Sequence, residues 1–196
     1  MTFDKFQLDA LVNQRIEESI AVKRALLDQS AQIAEIGETL IAAYRAGKKV
    51  LLFGNGGSAS DAQHIATELV GRYYFNRRAL PAEALTVNTS SLTAISNDYS
   101  FDYIFARQIE AFGNAGDVAI GISTSGNSPN ILEGVRAAKR LGMITIGMTG
   151  ADGGQLVKEV DYCVCVPSAD TPRIQEAHGL IGHVWCEMIE RALFDD

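Results

Sequence analysis

Long apolar runs are missing from this 196-residue chain: no stretch approaches the ~18 consecutive apolar residues that a membrane-spanning helix needs, so a bilayer span is excluded. Cysteine is scarce. Cys163, Cys165 and Cys186 show no C-x-x-C spacing, and the first two stand too close in one apolar run to bridge without severe strain; all three are expected to be buried thiols. Positive charge is also short, with 17 Lys and Arg against 24 Asp and Glu for a net charge of −7. The basic residues are scattered rather than gathered into a stripe, which disfavours nucleic-acid binding. An anionic small ligand is still permitted, because backbone N–H groups can hold an anion on an acidic protein. The opening MTFDKFQLDALVNQRIEES carries acidic residues and no apolar h-region, so no secretion signal is expected and the expected location is cytoplasmic. What is present, 47 % hydrophobic and 21 % charged residues, suits one folded domain over residues 1–196, with no linker or low-complexity tract.

Residues 5–47 read as two helices. Leu8, Leu11, Val12, Ile16 and Ile20 recur at helical spacing, then Ile33, Ile36, Leu40 and Ala43, until Gly47 ends the second helix. Five short apolar runs follow: KVLLFG (49–54), EALTVN (83–88), DVAIGIS (117–123), ITIGMTG (144–150) and DYCVCVP (161–167). Between them lie helix-length segments, including ASDAQHIATELVGRYY, YIFARQIEAFG and NILEGVRAAKRLG. Near-continuous apolar strands separated by helical crossovers indicate a parallel sheet covered on both faces. The expected fold is a doubly wound α/β domain with a five-stranded parallel sheet, an α-β-α sandwich with a helical N-terminal extension packed on it.

Two turns echo each other, VLLFGNGGSAS (50–60) and VAIGISTSGNSPN (118–130): each is a strand, a Gly/Ser turn and a helix start. Carboxyl ends of strands are where open α/β sheets bind ligands. In the first, the glycines let the backbone turn sharply and Ser58 is expected to cap the next helix. In the second, Ser123, Thr124, Ser125 and Ser128 surround a helix N-terminus, and hydroxyls beside the positive helix end suit a phosphate monoester. Neither turn matches the P-loop or the dinucleotide fingerprint, so nucleoside triphosphates and NAD are disfavoured. Each turn alone could be an ordinary β–α connection; together they point to a phosphorylated small molecule.

Only three histidines occur, His64, His178 and His183. His64 and Glu68, four apart in the first post-turn helix, share one face. They could form an ion pair in solvent, hold one divalent cation or act as an acid–base pair. His183 lies in RIQEAHGLIGHVWCEMIERAL among apolar residues, a setting that suits a satisfied core histidine as well as a ligand. Imidazoles with a carboxylate are zinc-type ligands, and Gln175 could add an amide oxygen. Eight residues of ideal helix set Gln175 and His183 roughly 12 Å apart along the axis. Sharing one metal would need a long arm, an irregular first turn near Pro172, or chain stagger.

The segments GNGGSASDAQHIATELVGR, LTAISNDYSFDYIFARQ, GDVAIGISTSGNSPNI, MTGADGG and RIQEAHGLIGH resemble the sugar isomerase (SIS) domain family, and within it the bacterial phosphoheptose isomerases, over nearly the whole chain. The resemblance implies one divalent metal per subunit, usually zinc, at His64, Glu68, Gln175 and His183. It implies substrate contacts from Asn55, Gly56, Gly57, Ser58, Glu68, Asn97, Asp98, Ser123, Thr124, Ser125, Ser128 and Gln175, with Glu68 and His183 as the catalytic pair. The implied reaction is an aldose–ketose isomerisation. Sedoheptulose 7-phosphate becomes D-glycero-D-manno-heptose 7-phosphate through an enediol(ate), the first step toward heptose for surface glycans such as lipopolysaccharide. The implied assembly is a homotetramer with active sites at subunit contacts, in which Glu68 or His183 could face a neighbouring chain. Where some members have an acidic residue two before the isoleucine of RIQE, this chain has Pro172, so no role of that acid carries over. Two other readings are a non-catalytic protein of the same fold that binds a replication initiator, and an isomerase for another sugar phosphate such as a pentose 5-phosphate.

Overall fold

The computed structural model describes residues 5–195. Two helices come first, α1 (Lys5–Ala25) and α2 (Ser30–Arg45), joined by a 3-10 turn at Leu26–Gln29. Then come β1 (Val50–Gly54), α3 (Gly57–Val70), β2 (Ala82–Ala84), α4 (Thr89–Asp98), a 3-10 turn at Phe101–Tyr103 and α5 (Ile104–Phe112). The second half is β3 (Val118–Ile122), α6 (Pro129–Arg140), β4 (Ile144–Gly150), α7 (Leu156–Glu159), β5 (Tyr162–Val166) and α8 (Thr171–Phe194). The five strands form one all-parallel sheet in the order β2-β1-β3-β4-β5. This is the expected doubly wound α/β fold.

Alternation along the central strands divides the core between the two faces of the sheet. Val50 and Leu52 of β1, with Val118, Ile120 and Ile122 of β3, face a cluster built with α2, α3 and α8 that includes Ile36, Leu40, Ile65, Leu69, Ile181 and Trp185. Leu51, Phe53 and Ala119 face the other way, against Phe105 and Ile109 of α5 and Ile131 and Val135 of α6. The Trp185 indole donates to Ile33 O at 2.9 Å, tying α8 to α2.

Several expectations are corrected. The second apolar run is a strand only at Ala82–Ala84, because the chain after Leu85 turns away from β1 and Asn88 caps α4, its side chain accepting from Ser91 N. Helix α3 ends at Val70, so the tyrosines of GRYY lie beyond it. Cys163 and Cys186 are buried, but Cys165 is half-buried on edge strand β5, its Sγ 3.9 Å from that of Cys163. The hydrogen bond with Cys163 moves the Cys165 thiol down to about 7. Helix α2 packs on the domain, and α1 meets it through its second half, where Val22 lies against the core and Arg173 donates to Arg15 O, while Leu8, Val12 and Ile16 are exposed. Among the described residues no helix is long and apolar enough to cross a membrane.

Candidate active site

Both Gly/Ser turns lie at the carboxyl edge of the sheet, after β1 and after the adjacent β3. Asn55 and Asn130 join them through a reciprocal amide pair, each Nδ2 donating to the other's Oδ1 at 2.8 Å. Asn130 is buried in the first turn of α6 and was not singled out from the sequence; its signal is the repeated Asn in GNGG and GNSPN. In the second turn Ser123 Oγ and Ser128 Oγ are 3.0 Å apart, Thr124 is half-buried and Ser125 exposed. Gly126 adopts φ +65° with its Cα against the carbonyl of Gly153, a place that only glycine fills without strain. Further backbone bonds hold the turn: Gly150 N donates to Thr124 O at 3.1 Å and Leu156 N to Gly126 O at 2.9 Å.

The first turn differs from expectation in one respect. Gly56 occupies the N-cap of α3 with no side-chain cap, and Ser58 is buried inside the first helical turn. The cause is the close approach of this turn to the strand it leaves, since any Cβ on Gly54 would meet the backbone of Ser58. Asn97 and Asp98 stand on the exposed last turn of α4, where Asn97 Nδ2 donates to Asp98 Oδ1 at 2.8 Å.

The second element of the site is the seam between α3 and α8. Gly182 lies against Ile65, a contact that a larger residue would block, so the two helices approach closely beside the histidines. His64 Nε2 is 3.2 Å from Glu68 Oε1 and 3.3 Å from His183 Nε2, and one ligand atom from each residue falls within 4.8 Å of the others. The two imidazoles meet edge to face at 84° with centroids 4.8 Å apart. All three groups come together within one chain. His64 is about half exposed and Glu68 about one-fifth.

The donor set fits a metal. Ring nitrogens bound at 2.0–2.1 Å to one tetrahedral ion stand about 3.3 Å apart. That is the spacing of the two Nε2 atoms and nearly that of His64 to the carboxylate. The Gln175 amide lies against Gly57, at the start of α3, two turns N-terminal to His183 on α8. His64, Glu68 and His183 are the three of the four expected donors that converge by imidazole and carboxylate.

The core-histidine environment belongs to His178, which is fully buried with Nε2 3.1 Å from Thr149 O. Burial depresses its pKa to about 4, so the ring is neutral and donates to that carbonyl. His183 is half-buried and faces the seam. A cavity of about 410 Å³ opens on another flank of α3, lined by Gln63, Thr67, Val70 and β2, and holds neither the trio nor the turns. Geometry and donor chemistry, rather than cavity size, mark the site.

Comparison with known proteins bears on this arrangement. The family model described as SIS domain matches residues 16–150, and the chain belongs to that family. Among its relatives, the phosphoheptose isomerase of Roseiflexus is 54 % identical over 186 residues, 94 % of each chain, and that of Clostridium acetobutylicum is 54 % identical over 188 residues, 94 % of this chain and 96 % of the other. The structure of the phosphoheptose isomerase from Neisseria gonorrhoeae superposes with a TM-score of 0.89 at 42 % identity, covering 93 % of this chain and 98 % of that one. That from Francisella tularensis gives 0.91 at 38 %, covering 97 % and 100 %. Within the SIS proteins, then, this chain belongs with the phosphoheptose isomerases, and it is an isomerase.

Proposed function

We propose that the protein interconverts sedoheptulose 7-phosphate and D-glycero-D-manno-heptose 7-phosphate, using Glu68 and His183 as its proton-transfer pair. The observation that carries this reading is the convergence of His64, Glu68 and His183 at the seam of α3 and α8, in a chain whose turn after β3 is rich in hydroxyls. A sugar phosphate needs both: an anion site at one end and proton-transfer groups at the other. Ser123, Thr124, Ser125 and Ser128 receive the phosphate at the N-terminus of α6, where it positions the chain of carbons without taking part in bond changes. Asn55, Gly56, Gly57, Asn97, Asp98 and Gln175 contact the sugar hydroxyls, with the Gln175 amide lying over Gly57. Ser58, buried in α3, contributes through the backbone of the turn.

In the forward direction Glu68 removes a proton from C1 of the ketose and returns one to C2. Glu68 Oε1 is the oxygen turned toward His64, which assigns the transfer to Oε2. His183 gives a proton to the C2 oxygen and takes one from the C1 hydroxyl, so protons balance and no redox partner is required. His64, Glu68 and His183 would hold a divalent metal, zinc by their donor types, with Gln175 able to add its amide oxygen if it turns from Gly57. Such an ion polarises a carbonyl and stabilises negative charge on the neighbouring oxygens.

The half-exposed seam and the bare apolar stripe of α1 support a homotetramer with sites near subunit contacts. The chemistry of a phosphorylated sugar and three free thiols supports a cytoplasmic setting. A non-catalytic role is not favoured, because relatives sharing half of its residues are named isomerases. Incubation with sedoheptulose 7-phosphate, followed by NMR with and without chelator, tests the reading: the aldose signal should appear and chelator should suppress it. No aldose from metal-loaded protein would reject it.

A further inference from the structure

Between α3 and β2 the chain runs through residues 71–81 with no helix or strand, so its N–H groups need other partners. Three consecutive donors converge on one buried carboxylate: Tyr73 N reaches Glu190 Oε1 at 2.7 Å, and Tyr74 N and Phe75 N reach Oε2 at 2.7 and 2.9 Å. Arg77 Nε adds 2.8 Å to Oε1. The Arg77 head also donates to the carbonyls of Glu68 and Leu69, each at 2.8 Å, and of Gly71 and Arg78 at 3.3 and 3.1 Å. Both charged side chains are 1 % exposed. An ion pair sequestered to this degree gives little net stability over apolar packing, which raises the question of what it holds in place.

It holds two things at the seam. One is the Glu68 carbonyl. The other is Tyr73, whose ring stacks on that of His183 with centroids 5.5 Å apart and planes at 29°. Glu190 and His183 lie two turns apart on α8, so the anchor and the stacked imidazole share one rigid element. The His183 ring meets that of His64 at 84° and that of Tyr73 at 29°.

We propose that Tyr73 is a positioning residue for His183, set against the imidazole by the buried Arg77–Glu190 clamp so that Nε2 points at His64 and Glu68. This deepens the isomerase reading and rests on it. Outer contacts that orient a ligand or proton-transfer imidazole are typically worth roughly 10–100-fold in activity or metal affinity.

The test uses the full-length protein and two readouts. In metal-free protein, ring protons of His183 lie upfield because the Tyr73 ring shields them. In Tyr73→Leu that shift is lost, and metal-loaded kcat falls roughly 10–100-fold with little change in KM. Tyr73→Phe keeps the ring and must keep both the upfield shift and most of kcat, even if the leucine variant proves too loose to purify. A Phe variant as impaired as Leu would assign the effect to the hydroxyl and overturn the stacking proposal; so would a folded Leu variant with an unmoved His183 signal and wild-type kcat. If the wild type failed to isomerise the heptulose phosphate, the isomerase reading would fall while the NMR arm still decided the stacking.

Discussion

The phosphate-type turn after β3 and the α3–α8 seam are built in opposite ways. The turn is local: six residues, 123–128, make most of its shape through their own backbone and hydroxyls, stabilised by neighbours such as Gly150 and Leu156. The seam is non-local. His64 and His183 are 119 residues apart, and the clamp beneath them joins residues 113–117 apart. A local site survives on a few backbone bonds, whereas a non-local one exists only while two helices keep their register. In the proposed mechanism binding falls to the robust part and bond-making to the part that depends on the whole fold.

If that division holds, the largest loss comes from the seam. Glu68→Gln is isosteric and keeps an oxygen ligand, so metal content measured by emission spectroscopy should be retained while kcat falls by about 10³-fold. Normal turnover in a metal-loaded Gln variant would remove Glu68 from the base role and collapse the contrast between the two regions.

His178 connects the regions, reaching from α8 to Thr149 O beside the turn. Its folded pKa is near 4 against about 6.5 when unfolded. The unfolded chain then binds the extra proton between those values, and stability falls as pH drops from about 6.5 toward 4, by up to about 1.4 kcal/mol per pH unit. Below that window the loss is complete. Urea titrations of wild type and His178→Gln at pH 7 and pH 5 should show a smaller pH dependence in the variant. Equal slopes would mean that the ring is not the acid-sensitive strut between turn and seam.

These two histidines also show what the sequence could and could not disclose. His178 falls in the stripe Ile174, His178, Ile181, Trp185, spaced four, three and four, so its burial was readable from helical periodicity. His183 is outside that stripe, which is the signal separating it from a core residue. The strands β1, β3 and β4 are legible because both their faces are buried and β5 because its apolar run is continuous, while β2 is shorter than its run because Leu85 is apolar for another reason: it packs under α5 after the strand has ended. Tyr73, Arg77 and Glu190 were invisible, since their importance arises from an irregular segment wrapping back onto a helix more than 100 residues later. Ser58 looked like a cap because Ser favours that position, yet Gly56 holds it. The stripe of α1 was correctly periodic, but periodicity does not say what covers it.

The turn itself offers graded tests. Gly126→Ala places a methyl group against the Gly153 carbonyl at positive φ, and should cost about 1–3 kcal/mol in thermal or chemical denaturation. Its kinetic signature should be a raised KM, with the His183 ring signals of the seam unmoved. Coupled loss at both places would show the two regions to be one unit.

Ser125→Ala is the gentlest of these changes. The side chain is exposed, and its Oγ accepts from Asn127 N at 3.2 Å, so the turn has other bonds to keep its shape. Removing one hydroxyl from a phosphate contact forfeits about 1.5–3 kcal/mol at most if the bond is charge-assisted, which corresponds to roughly a 10–100-fold rise in KM. Because the proposed mechanism keeps the phosphate away from the carbons that exchange protons, kcat should change far less. Initial rates across a range of sedoheptulose 7-phosphate concentrations separate the two constants. A fall in kcat with KM unchanged would put Ser125 among the groups that act in the transition state, and the turn could no longer be regarded as an anchor distinct from the seam.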